Sequence, residues 1–365
     1  MKERPHILVV IKTLGVGGAE RMLSQAAPLW AASKNCAYRV CHLSPPSDLA
    51  ATIEAAGVPV ACAGFSGSWP SPRGFRRLRE EMAQASLVHV HLPLAGVFVR
   101  WARPHSVKIP VVYTEHTLRR CYHPVTRFFH RRALPAYTAV VGVSRVVEEE
   151  LRREGACRRL VRIENAAGAY STPRALSAAL PISKDSPVVL FLGRLEPDKD
   201  PLRAIRIFAR VSPHAPGAHL VLAGEGRLRG ACEAEIQRLA LAGRAHLLGL
   251  RSDVPALLAR AALVLNTSRV EGHPLSLLEA QAAGRPVVAP ALGGIPEIVQ
   301  SGRSGLLYPP KDDLACAKAL LELLEDKALR ERLGEAAAQE AAERPSLLQW
   351  VGTHERLYAE LLAAP

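Results

Sequence analysis

Two carboxylates eight residues apart, Glu271 and Glu279, frame the start of the stretch EGHPLSLLEAQAAGRPVVAP, residues 271 to 290. Between them a Gly272-His273-Pro274 turn leads into a helical pattern beginning near Leu275. Ala-Ala-Gly with Pro286 ends that helix, and Val287-Val288 reads as the next strand. The spacing predicts backbone N–H groups and one acid at a helix N-terminus, with the second acid one turn inside. The N-terminal end of a helix attracts phosphate through its free N–H groups and its dipole. Two carboxylates beside it are out of place for phosphate alone, but they suit the hydroxyls of a ribose and a sugar. An acid/base pair is the weaker reading of the same two residues. The stretch therefore predicts half of a nucleotide-sugar site.

Such a site also needs cations for a diphosphate. In FLGRLEPDKDP, residues 191 to 201, Arg194 and Lys199 follow an apolar strand pattern and precede a helix with Pro201 in its first turn. Two cations at a strand's carboxyl end can neutralise a diphosphate without a metal. Asp198-Lys199-Asp200 also satisfies a D-x-D metal pattern, but Asp200 is expected to cap the helix, so no metal is expected. Gly224 and Gly226 in LVLAGEGRLR predict a tight turn letting backbone approach a base or phosphate. Upstream, KTLGVGGAER carries Gly17 and Gly18 between a strand and a helix, where positive φ and close approach to an anion are expected. It lacks the Lys-Ser/Thr ending of a P-loop, which argues against a nucleoside triphosphatase. His116, in VVYTEHTLRR, falls just past another strand, either facing the site or packing; Glu115 orients it or points away. His89 and His91 alternate on one strand and read as packing or wall residues.

The elements that must place these groups are legible along 365 residues, enough for two domains. Short Val/Ile/Leu runs alternate with helical patterns throughout the first half, then again after a Ser- and Pro-rich stretch at 172 to 186. That predicts an α/β chain with two Rossmann-like domains, ligands lying at the carboxyl ends of the strands. The first spans 1–180 and the second 181–345. The closing helix, 346–365, carries an apolar face. Residues 1 to 180 hold 25 Lys and Arg against 12 Asp and Glu, which accounts for the whole formal charge of +13. Such asymmetry marks a surface that meets something anionic or is simply solvated. Arg73–Arg79 and Arg119–Arg132 mix cations with aromatic and aliphatic groups, which suits an anionic lipid surface or a lipid-linked diphosphate. No base-reading module accompanies the charge, so nucleic acid is not the expected partner. Seven scattered cysteines without a CxxC pair, and no apolar run of spanning length, predict a reduced cytoplasmic protein, peripheral on the inner membrane at most.

GVGGAER, VVYTEHT, FLGRLEPDKD, LAGEGRLR, the 271–290 stretch and GGIPEIVQSGRSGLLYPP occur in the order seen in the retaining GT-B glycosyltransferases of family four. The chain resembles that family from Gly15 to its last helix, most specifically in the acid pair Glu271 and Glu279. The resemblance implies a GT-B fold, with two Rossmann-like domains facing across a cleft and a C-terminal helix crossing back to the N-terminal domain. The N-terminal domain would bind the acceptor and the C-terminal domain the nucleotide-sugar donor. It implies that Arg194 and Lys199 hold the donor diphosphate, that Glu279 binds the ribose, and that Glu271 with the Gly272–Leu275 backbone holds the transferred sugar. His116 would contact the donor sugar from the acceptor side, and the Gly17-Gly18 turn would lie under the donor. Position 273 departs from the family's frequent Phe, implying a more polar donor wall, and in ENAAG, residues 164 to 168, the glycine of a common Asn-Gly turn is displaced. A glycan or lipid-linked acceptor is the expected partner. A non-catalytic nucleotide-sugar-binding subunit, or a transferase acting on a soluble small-molecule acceptor, is the alternative. A nicotinamide oxidoreductase would need a fuller glycine fingerprint than Gly224-Glu225-Gly226.

Overall fold

A computed structural model describes residues 4–66, 71–103, 109–155, 159–168, 176 and 180–364. The chain divides into two compact units, residues 1–168 with 345–365, and residues 169–344. Of the Ser- and Pro-rich stretch expected to link them, 172–175 and 177–179 lie outside the described residues.

Unit 1 is built on seven strands: β1 (His6–Ile11), β2 (Ala37–His42), β3 (Val60–Cys62), β4 (Leu87–His91), β5 (Val111–Glu115), β6 (Ala139–Gly142) and β7 (Leu160–Arg162). All pair in parallel, in the order β3-β2-β1-β4-β5-β6-β7. The helices are α1 (Gly18–Ala31), α2 (Ala50–Ala55), α3 (Pro72–Ala83), α4 (Pro93–Ala102), α5 (Pro124–Ala133) and α6 (Arg145–Arg153). β1, β4, β5 and β6 are nearly inaccessible on both faces, and β1 and β6 accordingly read as continuous apolar runs. The strand order reverses between β1 and β4. Loops leaving these two strands therefore diverge and open a crevice at their carboxyl ends.

Unit 2 repeats the plan with β8 (Val188–Leu192), β9 (His219–Ala223), β10 (Ala245–Gly249), β11 (Leu263–Leu265), β12 (Val287–Pro290) and β13 (Gly305–Tyr308). The order is β10-β9-β8-β11-β12-β13, again parallel, with the reversal between β8 and β11. Around them lie α7 (Pro201–Val211), α8 (Arg229–Arg238), α9 (Val254–Arg260), α10 (Leu275–Ala282), α11 (Ile295–Ile298), α12 (Asp313–Glu325) and α13 (Lys327–Glu343). Ile205, Ile207, Phe208 and Val211 of α7 pack with Val189 and Phe191 in one buried cluster. Each such side chain contributes about 1.5–3 kcal/mol by leaving water, so the face that positions the β8–α7 loop is firmly held.

The last helix, α14 (Leu347–Ala363), begins at a capping box formed by Ser346 and Gln349 and returns to unit 1. Its buried Glu355 accepts hydrogen bonds from Ser33 Oγ at 2.6 Å, Asn35 Nδ2 at 2.7 Å and Tyr38 Oη at 3.1 Å. Tyr358 Oη shares a 2.6 Å hydrogen bond with His89 Nδ1. Among the described residues, no helix is long and apolar enough to cross a membrane. The six described cysteines are free thiols.

Candidate active site

In unit 2 the expected donor residues gather at the reversal between β8 and β11. The loop after β8 brings Lys199, and the loop after β11 brings Glu271. Lys199 Nζ donates to Glu271 Oε1 at 2.6 Å, and Ser268 Oγ donates to the same oxygen at 2.6 Å. Glu271 is only 5% exposed, and the Lys199 side chain about a quarter. The cation expected on phosphate and the acid expected on sugar are thus direct neighbours. One of the three ammonium N–H donors is committed to the carboxylate.

Thr267 and Arg269 tie these two loops together. Thr267 Oγ1 donates to the carbonyls of Lys199 at 3.2 Å and Asp200 at 2.9 Å. The Arg269 amide donates to the Asp198 carbonyl at 2.8 Å, and its Nε reaches Asp200 Oδ2 at 2.8 Å. Asp200 occupies the cap position of α7 but makes no capping hydrogen bond, contrary to expectation. Its φ of 51° turns the chain sharply, and its carboxylate serves Arg269 instead. Arg194, half exposed, donates to Asp198 Oδ2 at 3.0 Å. Both acids of the D-x-D pattern are therefore engaged by arginines.

Gly224 and Gly226 do permit close approach, but to the protein's own backbone. A side chain on Gly224 would collide with the Gly193 carbonyl, and one on Gly226 with the Leu195 carbonyl. Gly224 also has φ of 150°. These glycines let the loop after β9 lie flat on the loop after β8, with Leu195 N donating to Glu225 O at 2.8 Å. They thereby shape the loop that carries Arg194.

Gly272, His273 and Pro274 lead into α10, whose first residue is Leu275. The Leu275 and Ser276 N–H groups precede the first intrahelical bond, which Leu277 N makes to the Pro274 carbonyl at 3.1 Å. Glu279, one turn in, is 1% exposed. His273 is 3% exposed, and burial, reinforced by Arg344, pushes its pKa down to about 3, so its imidazole is neutral. Gly293, the first Gly of GGIPEIVQ, has no role assigned from the sequence, where only the doubled glycine signals a turn. Its φ of 54° brings it against the Glu271 carbonyl, where a side chain would collide, and Gly294 N donates to that carbonyl at 3.3 Å. Gly293→Ala is expected to cost about 1–3 kcal/mol of stability and to raise the donor KM, because Glu271 must shift. An unchanged Tm and KM would contradict this packing.

In unit 1, taken by itself, His116 follows β5 and its Nε2 lies 2.9 Å from His91 Nδ1. Burial, with His354 adding, lowers the His116 pKa to about 4, so it is a neutral hydrogen-bonding group near pH 7. Glu115 points into the interior. It accepts from Tyr113 Oη at 3.0 Å, from Tyr122 Oη, and from the His116 amide at 3.1 Å. It thereby fixes the backbone that carries His116 and leaves the imidazole to His91. Gly17 and Gly18 open α1, yet Gly17 has φ of −71° and neither glycine uses the positive φ that was expected. The space above Gly17 is filled by the Glu20 carboxylate, which accepts from Thr13 Oγ1 at 3.2 Å.

The buried histidines give the protein a defined pH response. His89 and His91 are held well below the ordinary value of 6.5 by burial, His354 is lowered to about 4 and His130 to about 3, alongside His116 and His273. Each is neutral when folded and takes up a proton on unfolding, so stability falls as pH drops from 6.5 toward about 4. Glu115, raised by burial to about 7, acts oppositely between 4.5 and 7, but it is one group against six. Urea midpoints are expected to be lower at about pH 5.5 than at about pH 7.5. Equal or higher midpoints at the lower pH would contradict neutral burial.

Residues 16–167 match the model of Glycosyltransferase Family 4, and residues 174–340 that of Glycosyl transferases group 1. The chain is 27% identical over 381 residues to the alpha-D-kanosaminyltransferase of Streptomyces kanamyceticus, covering 94% of this chain and 96% of that protein. It is 30% identical over 299 residues to the D-inositol 3-phosphate glycosyltransferase of Mycobacterium avium, covering 75% and 68%. Its fold matches the Anabaena protein HepE in complex with UDP-glucose, with a TM-score of 0.84 at 21% identity over 98% of this chain and all of that one. Two parallel Rossmann-like units, a terminal helix returning to the first, and matches in both halves lead to one assignment. The chain belongs to glycosyltransferase family four and is a nucleotide-sugar-dependent glycosyltransferase of GT-B fold.

Proposed function

We propose that the protein is a retaining, metal-independent transferase that moves a sugar from a nucleoside-diphosphate sugar to a hydroxyl of a lipid-linked or polysaccharide precursor. The 2.6 Å contact between Lys199 and Glu271 carries this reading. It sets a cation against an acid suited to sugar hydroxyls, and that acid stands four residues before Leu275, the first residue of α10. Lys199 and Arg194 would hold the diphosphate, Glu279 the ribose, and Glu271 with the Gly272–Leu275 backbone the sugar. Unit 2 is then the donor domain and unit 1 the acceptor domain, with His116 contacting the donor sugar. HepE was solved with UDP-glucose, so UDP-hexoses are the first donors to test.

In the proposed step the acceptor oxygen bonds to the anomeric carbon on the face from which the diphosphate departs. The acceptor proton passes to the departing phosphate oxygen. Arg194, Lys199 and the α10 dipole stabilise the charge that develops there. Glu271 positions the sugar and is not the nucleophile. Proton NMR of the product should show the donor's anomeric configuration retained; an inverted product would contradict front-face attack. EDTA should leave the rate unchanged. A strict requirement for Mg²⁺ would return Asp198 and Asp200 as ligands and displace this account of leaving-group stabilisation. For the acceptor we propose a site at the inner membrane face, reached from the cytoplasm, because the excess positive charge lies wholly in residues 1 to 180.

A further inference from the structure

Unit 1 offers two basic segments, and the structure treats them differently. On α3, Phe75 turns inward onto Phe65 and Phe98, with ring centroids 5.2 and 5.8 Å apart. Its arginines are accompanied by acids on the same helix, Arg76 lying 3.6 Å from Glu80 and Glu81 binding Arg39. α3 is a solvated helix of mixed charge with its aromatic residue in the core.

On α5 the aromatic residues are outside. Val125, Phe128 and Phe129 are 56%, 51% and 39% exposed, and Trp101 at the end of α4 is 44% exposed. Trp101 meets Phe129 edge-on at 5.3 Å, and Phe128 meets Phe129 at 5.3 Å, so the four form one patch. Val125, Phe128, Phe129 and Arg132 follow i, i+3, i+4, i+7 and share a helix face. The Arg132 guanidinium sits 3.7 Å from the Phe128 ring centroid, holding charge level with the rings. Arg120, Arg127 and Arg131 are exposed alongside. Between Leu92 and Val147 the sequence has one acid, Glu115, and it is fully buried. The surface of this segment is therefore aromatic and cationic, with no carboxylate.

We propose that this α4–α5 face docks the enzyme on an anionic phospholipid surface, with the aromatic side chains at headgroup level and the arginines on lipid phosphates. The proposal deepens the membrane-acceptor reading above and rests on it only for its purpose, since lipid binding is measured without turnover. Exposed aromatics in one patch mark a binding surface, and aromatic bodies with basic tips fit the bilayer interface. Interfaces between proteins pair charges of both signs, whereas this face carries one sign, as a sheet of phosphates requires. A second copy would bring the same arginines face to face.

The test is flotation of the full chain with vesicles of phosphatidylcholine alone or mixed with phosphatidylglycerol. Wild type should float with the mixed vesicles at low salt and not with phosphatidylcholine alone. Arg127→Glu with Arg131→Glu should weaken partitioning about tenfold or more, since each cation near such a surface contributes about 1 kcal/mol. Arg73→Glu with Arg76→Glu, the same charge change on α3, should stay within about twofold of wild type on the same reasoning. Phe128→Ser should also weaken binding while leaving Tm unchanged, which separates lost docking from lost folding. No flotation of wild type, or equal losses from the α3 and α5 variants, would overturn the proposal. So would a dimer in sedimentation that the α5 variant dissolves, because the face would then be a contact between copies. Donor turnover is measured in parallel on each variant. Flotation without turnover in wild type would count against the transferase reading alone.

Discussion

Glu271→Gln is expected to lower kcat by about a hundredfold with a smaller change in donor KM. The carboxylate sits at a junction of three loops: Lys199 from the loop after β8, Ser268 from its own loop, and Gly293 and Gly294 against its carbonyl. An amide keeps the shape and can still accept from Ser268. It loses the charge that holds Lys199, so both the sugar contact and the placement of the cation relax together. The variant should fold, because the substitution is isosteric and the backbone packing at Gly293 is untouched. Single-turnover and steady-state rates on the purified variant check this. Near-wild-type turnover would remove Glu271 from the site.

Lys199→Ala should act mainly on donor binding. A charge-assisted hydrogen bond contributes about 1.5–3 kcal/mol, which corresponds to a rise of about ten- to a hundredfold in donor Kd or KM. The substitution also strands the Glu271 carboxylate, 5% exposed, without its cation, so some loss of Tm is expected as well. The partners touch, so the two substitutions should not be additive. Lys199→Ala combined with Glu271→Gln should bind donor about as well as Lys199→Ala alone. A donor KM unchanged in Lys199→Ala would show that the diphosphate is held elsewhere.

The central strands β1, β6, β8 and β12 were legible because they are buried on both faces and so read as short apolar runs. The runs Leu87–His91, Val188–Leu192 and His219–Ala223 read as strands in the sequence, and they are β4, β8 and β9 in full. α4 was missed for the same reason: PLAGVFVRWA is buried along most of its length, so it lacks the polar stripe that marks a helix. β13, only four residues long, was missed because GLLY has no alternation to read. Within the site, the charged residues were visible as types at strand ends, whereas their pairings were not. That Lys199 meets Glu271 depends on a register between loops seventy residues apart. The glycines carried a real signal, a need for close approach. The sequence cannot say whether the approaching group is a ligand or the chain itself, and at Gly224, Gly226 and Gly293 it is the chain. Asp200 was read as a cap because Asp before Pro at a helix start usually is one, but Arg269 competes for the same carboxylate.

Lys199 is the proposed anchor of a nucleoside-diphosphate sugar on the loops joining β8, β9, β11 and β12 to their helices. Thermal denaturation of wild type and Lys199→Ala against a panel of nucleotide sugars tests that role most directly. Saturation a hundredfold above Kd stabilises the folded state by about 2.7 kcal/mol. A clear rise in Tm with at least one nucleotide sugar is expected for wild type, and a much smaller rise for Lys199→Ala at the same concentration. No shift with any member of the panel, or equal shifts in the two proteins, would contradict that role.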